Sequence, residues 1–220
     1  MPTIYSSIIF DLDGTLVDSI QDIGEAMNRV LGRYNLPKHN MSSYRAMVGW
    51  GVKELVRNAI PAAYRNNADF VETCIHEMKK EYYDTPIHHT APYPGISDFL
   101  EKLQKRECSI SVFSNKPNTI TKHVVHTLFP NIHFDAIRGH KDGVAPKPNA
   151  EGALLLAEEI GVKPSTCVLV GDSEVDYQTA HNAGMDFIAI SWGFRDKGYL
   201  IKHGITKIID SVKELELLLI

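Results

Sequence analysis

The stretch Ile8-Ile9-Phe10-Asp11-Leu12-Asp13-Gly14-Thr15-Leu16 constrains this chain more than any other. Its apolar start is too short for a helix and too apolar for an exposed loop, so it reads as a central strand of a parallel sheet. The strand breaks off at Asp11, and two carboxylates, a glycine and a hydroxyl follow between Asp11 and Thr15. In an open α/β sheet, ligands bind beyond the carboxyl ends of the strands, which is where these groups fall. Two carboxylates ending a buried strand are costly without a cation, and that favours chemistry over mere structure.

The next segment is of a different kind. Ile20, Ile23, Met27, Val30, Leu31 and Tyr34 recur at helical spacing, with Asp18 or Ser19 as N-cap and Leu36-Pro37 as the stop. Ser42 or Ser43 would cap a short second helix carrying Tyr44, Met47 and Val48, which ends at Gly49-Trp50-Gly51. A third helix runs through Val52, Leu55, Val56 and Ile60 to Pro61, and a longer one through Phe70, Cys74, Met78 and Tyr82. No strand pattern interrupts them. The expectation is an all-helical insert over residues 18–88, closed by the Pro- and Gly-bearing stretch Thr85 to Gly95, with a core formed by 1–17 and 89–220.

After the insert the pattern alternates between helices and short apolar runs, the signature of a doubly wound parallel sheet. Ile96, Phe99, Leu100 and Leu103 mark a helix with one buried stripe. Strands are expected at Ser109–Phe113, Phe134–Arg138, Cys167–Val170, Phe187–Ile190 and Ile205–Ile209. Helices are expected from Asn118, over Ala150–Ile160, over Glu174–Ala183 and over Val212–Ile220.

Composition excludes several functions. A net charge of -4 leaves no basic excess to neutralise a nucleic-acid backbone or an acidic membrane, so a small substrate fits better. Cys74, Cys108 and Cys167 are odd in number and widely spaced, which argues against a disulfide framework and for a reducing, cytoplasmic setting. Met1-Pro2-Thr3-Ile4-Tyr5 has no basic flank followed by an apolar core, and no apolar run is long enough to span a bilayer. Neither export nor membrane insertion is expected, and the chain is read as a monomer or homodimer.

Four segments end predicted strands or precede predicted helices with polar groups of matching kinds: Asp11 with Asp13, Ser114 with Asn115, Lys147, and Asp172 with Asp176. In a parallel sheet they converge on one edge and suit a hard divalent metal with an anionic group such as phosphate. A carboxylate facing a phosphate dianion meets repulsion of about 4 kcal/mol per charge pair at 4 Å in a medium of intermediate dielectric, which a dication removes. Each segment alone has a bland reading. Ser173 and Asp176 form an S-x-x-D capping pair, Ser114-Asn115 a turn, and Lys147, Lys116 and Lys141 solvated lysines. His88-His89 and the His123, His126 pair could bind a transition metal but read more simply as solvated. Trp50, between two glycines, could contact substrate or simply pack.

Asp11-Leu12-Asp13-Gly14-Thr15, Ser114-Asn115-Lys116-Pro117, Lys147-Pro148 and Gly171-Asp172-Ser173-Glu174-Val175-Asp176 resemble, in order and spacing, the four motifs of the haloacid dehalogenase-like hydrolase superfamily. Tyr93-Pro94-Gly95 and Val48-Gly49-Trp50-Gly51 are most similar to its phosphoglycolate phosphatase branch. The resemblance implies a Rossmann-like core with a helical cap inserted after the first strand. It implies Asp11 as a nucleophile forming an aspartyl-phosphate, Asp13 as acid and base, Ser114 on a phosphoryl oxygen and Lys147 neutralising charge. Mg²⁺ would be held by Asp11, Asp172, the Asp13 carbonyl and Asp176, directly or through water. Backbone groups at Leu12, Asp13 and Asn115 would cradle phosphate. Arg45, Trp50, Gly51 and Lys53 would set specificity in an insert that closes about Leu16–Asp18 and Thr90–Tyr93. Ala150 stands where the family often has proline. The expected activity is hydrolysis of a small phosphomonoester such as phosphoglycolate. A phosphomutase, another sugar-phosphate phosphatase or pyrophosphatase of the superfamily, and a phosphate-binding regulatory protein are the alternatives.

Overall fold

The computed structural model describes residues 5–84, 86–106 and 108–220. The N-terminal reading of Met1–Ile4 and the start of the linker at Thr85 lie outside the described residues. The chain divides into two compact units, Ser19–Ala91 and the remainder, Met1–Asp18 with Pro92–Ile220.

The chain opens with β1 (Ser7–Phe10) and the two-residue β2 (Val17–Asp18). The helical unit follows: α1 (Ile20–Arg33), α2 (Met41–Met47), α3 (Val52–Ala59) and α4 (Ala68–Asp84). Helix α1 buries Ile20, Ile23, Met27, Val30 and Leu31, the stripe its spacing predicts, and packs on α4. Ion pairs from Arg29 to Glu81 at 2.6 Å and from Arg33 to Glu77 at 3.2 Å cross the same helix pair. Neither expected serine caps α2. Asn40 does, because its side-chain oxygen reaches the Ser43 N–H at 2.8 Å from an extended backbone, and both serine hydroxyls donate to that oxygen instead. Ser19 occupies the N-cap position of α1 without a side-chain cap bond.

Asp22 closes the unit from within. Its buried carboxylate accepts the backbone N–H groups of His88, His89 and Thr90 at 2.8–3.0 Å and the Thr90 hydroxyl at 2.6 Å. Burial alone would raise its pKa, but these hydrogen bonds together hold it below the ordinary carboxylate value. Asp22 and the two histidines are close enough to share an ion. The carboxylate is already committed to these four donors, so the pair reads as a loop fastening rather than a metal site. His123 and His126 join no such cluster among the described residues.

The rest of the chain alternates as expected: β3 (Ala91–Pro92), α5 (Ile96–Leu103), β4 (Ser109–Pro117), α6 (Asn118–Leu128), β5 (Ala136–His140), α7 (Glu151–Glu159), β6 (Cys167–Gly171), α8 (Glu174–Ala183), β7 (Asp186–Ile190), α9 (Lys197–Lys202), β8 (Ile208–Ile209) and α10 (Val212–Leu219). Six strands form one parallel sheet in the order β5-β4-β1-β6-β7-β8. Strand β1 lies at its centre, with Phe10 beside Val112 of β4 and Val170 of β6. All four β1 residues are buried, which is why Ile8, Ile9 and Phe10 run apolar without alternation. The order reverses at β1, so the ends of β4, β1 and β6 meet where a doubly wound sheet binds ligands. Helix α9 and the two-residue strands β2 and β3 were not expected; Asp196 starts α9 by accepting the Tyr199 N–H at 2.8 Å.

Candidate active site

Strand β1 delivers Asp11 with its N–H donated to Val170 O at 2.9 Å, which fixes the backbone against β6. Asp172 follows β6 directly, and Asp176 lies in the first turn of α8. Carboxylate oxygens of Asp11, Asp172 and Asp176 can all lie within 4.8 Å of one another, and all three residues are buried. Lys147, from the loop before α7, donates to Asp11 Oδ1 at 2.8 Å, Asp176 Oδ1 at 2.6 Å and the Phe113 carbonyl at 3.1 Å.

Three buried carboxylates crowd around one ammonium, so acidic groups are in excess. The electrostatics record the imbalance. Burial pushes Asp11 up to about 7 although Lys147 pulls it down, and Asp176 and Asp13 add to the rise. Burial, Asp176 and Asp11 push Asp172 up to about 8, against the pull of the Phe194 N–H. Burial would lower the Lys147 pKa, but Asp11 and Asp176 outweigh it and hold the ammonium charged. Such a donor set, all hard oxygens with charge to spare, fits a divalent cation.

The surrounding backbone is built to this cluster. Gly14 has φ +89°, and a Cβ there would sit 2.5 Å from Asp172 Oδ2. At Gly193 a Cβ would come 2.3 Å from the Asp172 Cβ. Between them Asp172 accepts the Phe194 N–H at 2.7 Å and faces the Thr15 hydroxyl at 3.5 Å. The side chain of Trp192 donates to Thr15 O at 3.2 Å, and Arg195 pairs with Glu174 at 3.2 Å in the interior. Nothing in the sequence pointed to the segment 191–195, which serves Asp172 through the Phe194 N–H, the close approach that Gly193 permits and the charge of Arg195.

Strand β4 runs beyond the expected end at Phe113, as far as Pro117. Ser114, Asn115 and Lys116 are therefore on buried extended chain, not in the turn their residue types suggest. The Ser114 hydroxyl accepts the Lys116 N–H at 3.2 Å. Asn115 grips the backbone of Lys147 on both sides, accepting its N–H at 2.8 Å and donating to its carbonyl at 3.0 Å. Lys116 was expected to be solvated. It is instead buried, with its ammonium 2.7 and 3.0 Å from the two Asp13 oxygens. The available signal was a matched offset: Asp13 stands two residues past Asp11 in the loop that follows β1, and Lys116 two past Ser114 on the neighbouring β4. The Asp13 carboxylate is thus outside the Asp11, Asp172, Asp176 trio.

The family described as haloacid dehalogenase-like hydrolase matches residues 8–190. The chain belongs to that family. Within it, this hydrolase falls in the phosphoglycolate phosphatase-like branch. It is 31% identical over 211 residues to the phosphoglycolate phosphatase of Chromobacterium violaceum, covering 95% of this chain and 94% of that protein. It is 30% identical over 187 residues to that of Aquifex aeolicus, covering 85% of each. A solved structure from Lactobacillus delbrueckii subsp. bulgaricus, provisionally named a phosphoglycolate phosphatase, superposes with a TM-score of 0.91 at 32% identity and 98% coverage of both chains.

In the hydrolase's helical unit, Lys53, Arg57 and Arg65 line a cavity of about 350 Å³ with Asn66, Ala68, Val71 and Glu72. Trp50 is 36% exposed, so it is not a core tryptophan. Gly51 enters α3 at φ +87°, and Arg45 lies in the last turn of α2. Among the described residues no helix is long and apolar enough to cross a membrane.

Proposed function

We propose that this hydrolase is a Mg²⁺-dependent phosphatase of small phosphomonoesters, with phosphoglycolate, the substrate in its relatives' names, as the first candidate. The observation that carries the reading is the buried trio Asp11, Asp172 and Asp176 at the end of β1, with one ammonium joining Asp11 to Asp176.

Asp11 attacks phosphorus, the ester oxygen leaves with the bonding pair, and an aspartyl-phosphate forms; water then attacks the same phosphorus and releases inorganic phosphate. Asp13 gives a proton to the leaving alkoxide and takes one from the water. Lys147 holds one Asp11 oxygen at 2.8 Å, and its charge offsets part of what accumulates on the phosphoryl group. Ser114 and the backbone N–H groups of Leu12, Asp13 and Asn115 hold phosphoryl oxygens. Asp11, Asp172 and the Asp13 carbonyl, with Asp176 directly or through water, are the residues assigned to hold Mg²⁺, which supplies the charge neutralisation that lets two anions meet. Arg45, Trp50, Gly51 and Lys53 are assigned to reading the rest of the substrate.

The test is phosphate release from a panel of small phosphomonoesters, with and without Mg²⁺, comparing wild type with Asp11→Asn. Cation-dependent turnover that the variant lacks is expected. Metal-independent turnover or a fully active variant overturns the mechanism.

A further inference from the structure

Resting on that phosphatase reading, we propose that Lys116 is a positioning residue for the reaction: it acts through Asp13, holding the proton carrier's carboxylate in the place from which it serves both half-reactions. The argument starts from burial. The Lys116 side chain is only 2% exposed and that of Asp13 11%, so neither charge has bulk water to satisfy it. The ammonium meets both Asp13 oxygens, at 2.7 and 3.0 Å, and two contacts fix the plane of a carboxylate where one would fix only its distance.

The lysine is itself anchored at both ends of its backbone. Its N–H goes to the Ser114 hydroxyl at 3.2 Å, and its carbonyl accepts the Thr121 hydroxyl at 3.1 Å. Gly139 keeps this stretch close to its neighbours, since a Cβ there would fall 2.6 Å from the Lys116 carbonyl oxygen. Position therefore passes from the sheet through Lys116 to Asp13, a residue with only a short side chain on a loop. Lys147 contacts Asp11 through one oxygen and shares its ammonium with Asp176, so each of the two working carboxylates has an ammonium beside it but only Asp13 is held through both oxygens.

A group that acts only through Asp13 has a specific kinetic signature. An alkyl phosphate needs Asp13 in both steps, to protonate the leaving alkoxide and to deprotonate water. A p-nitrophenyl phosphate needs it only in the second, because nitrophenolate leaves without a proton. For Lys116→Met, kcat on a small alkyl phosphomonoester is expected to fall about 10- to 100-fold, part of the range general acid–base groups contribute, with KM little changed. On p-nitrophenyl phosphate the same variant is expected to release a rapid burst approaching one nitrophenolate per enzyme, followed by a slow steady rate. The double variant Asp13→Asn/Lys116→Met is expected to be no slower than Asp13→Asn alone, and it also removes the carboxylate charge that would face an apolar side chain should the single variant fold poorly.

Wild-type kcat in Lys116→Met overturns the inference. So does a rise in KM alone, which would mean direct contact with substrate, and so does a double variant slower than Asp13→Asn, which would mean a role independent of Asp13. Full activity of Asp13→Asn on the alkyl substrate would instead overturn the acid and base assignment beneath it, so the two failures are told apart.

Discussion

Replacing Asn115 with alanine tests how Lys147 is held. Its carboxamide makes two hydrogen bonds to the Lys147 backbone, at 2.8 and 3.0 Å, and all of these groups are buried. Each bond contributes roughly 1 kcal/mol, and a buried donor or acceptor left unmade costs about 1–3 kcal/mol, so truncation should destabilise by about 2–4 kcal/mol. For a unit of this size that is a melting temperature roughly 5–15 °C lower. Activity falls for a different reason. Freed from Asn115, the loop no longer fixes an ammonium that must sit 2.8 Å from Asp11 and 2.6 Å from Asp176, and misplacement of about 1 Å can cost on the order of 100-fold. Thermal unfolding followed by circular dichroism and kcat for phosphate release measure the two effects, and a Lys147→Ala background separates them. The backbone at 147 is still there, so Asn115→Ala should destabilise as before. The ammonium is gone, so no further activity should be lost. The reasoning is refuted if Asn115→Ala melts within 2 °C of wild type, or if its kcat loss persists in full in that background.

Two further outcomes follow from the same geometry. Mg²⁺ at about 100 times its Kd should raise apparent stability by about 2.7 kcal/mol, and Asp172→Asn should lose most of that shift; an equal shift in wild type and variant would remove Asp172 from the cation site. In the helical unit, the depressed pKa of Asp22 means its ionised form adds stability that is present above about pH 4 and lost as pH falls through the folded-state value. Asp22→Asn should therefore be less stable than wild type at pH 7 by urea unfolding, with the gap narrowing below about pH 4, and a gap that does not depend on pH would refute the assignment.

Much of the fold could be read from the chain because its central strands leave no ambiguity of period. Ile8–Phe10 and Cys167–Val170 are buried on both faces, so they appear as short unbroken apolar runs that stop at a carboxylate or just before one. What escaped was whatever depends on depth rather than residue type. Lys116 is written like any loop lysine, and only the extension of β4 to Pro117 puts it out of water. Asn40 outcompeted two serines because cap geometry, not rank of propensity, decides which oxygen reaches the third helical N–H. The Phe194 bond to Asp172 and the Asn115 grip on Lys147 each use a backbone group, which carries no sequence signature.

Asp176 shows why a structural and a functional reading of one residue need not compete. As part of an S-x-x-D turn it is an ordinary helix start, and the structure shows that turn: its N–H lies 3.4 Å from the Ser173 hydroxyl, which donates to Asp176 Oδ2 at 2.6 Å. With Oδ2 and the backbone both held by Ser173, the remaining oxygen has one direction left, and it points to Lys147 at 2.6 Å. The neighbouring Gly171 permits the approach, since a Cβ there would meet the Asp176 carboxyl carbon at 2.5 Å. The cap is thus the device that aims the carboxylate. A residue type chosen for helix initiation at the end of β6 arrives, through the same bonds, as the third member of the acidic trio with Asp11 and Asp172.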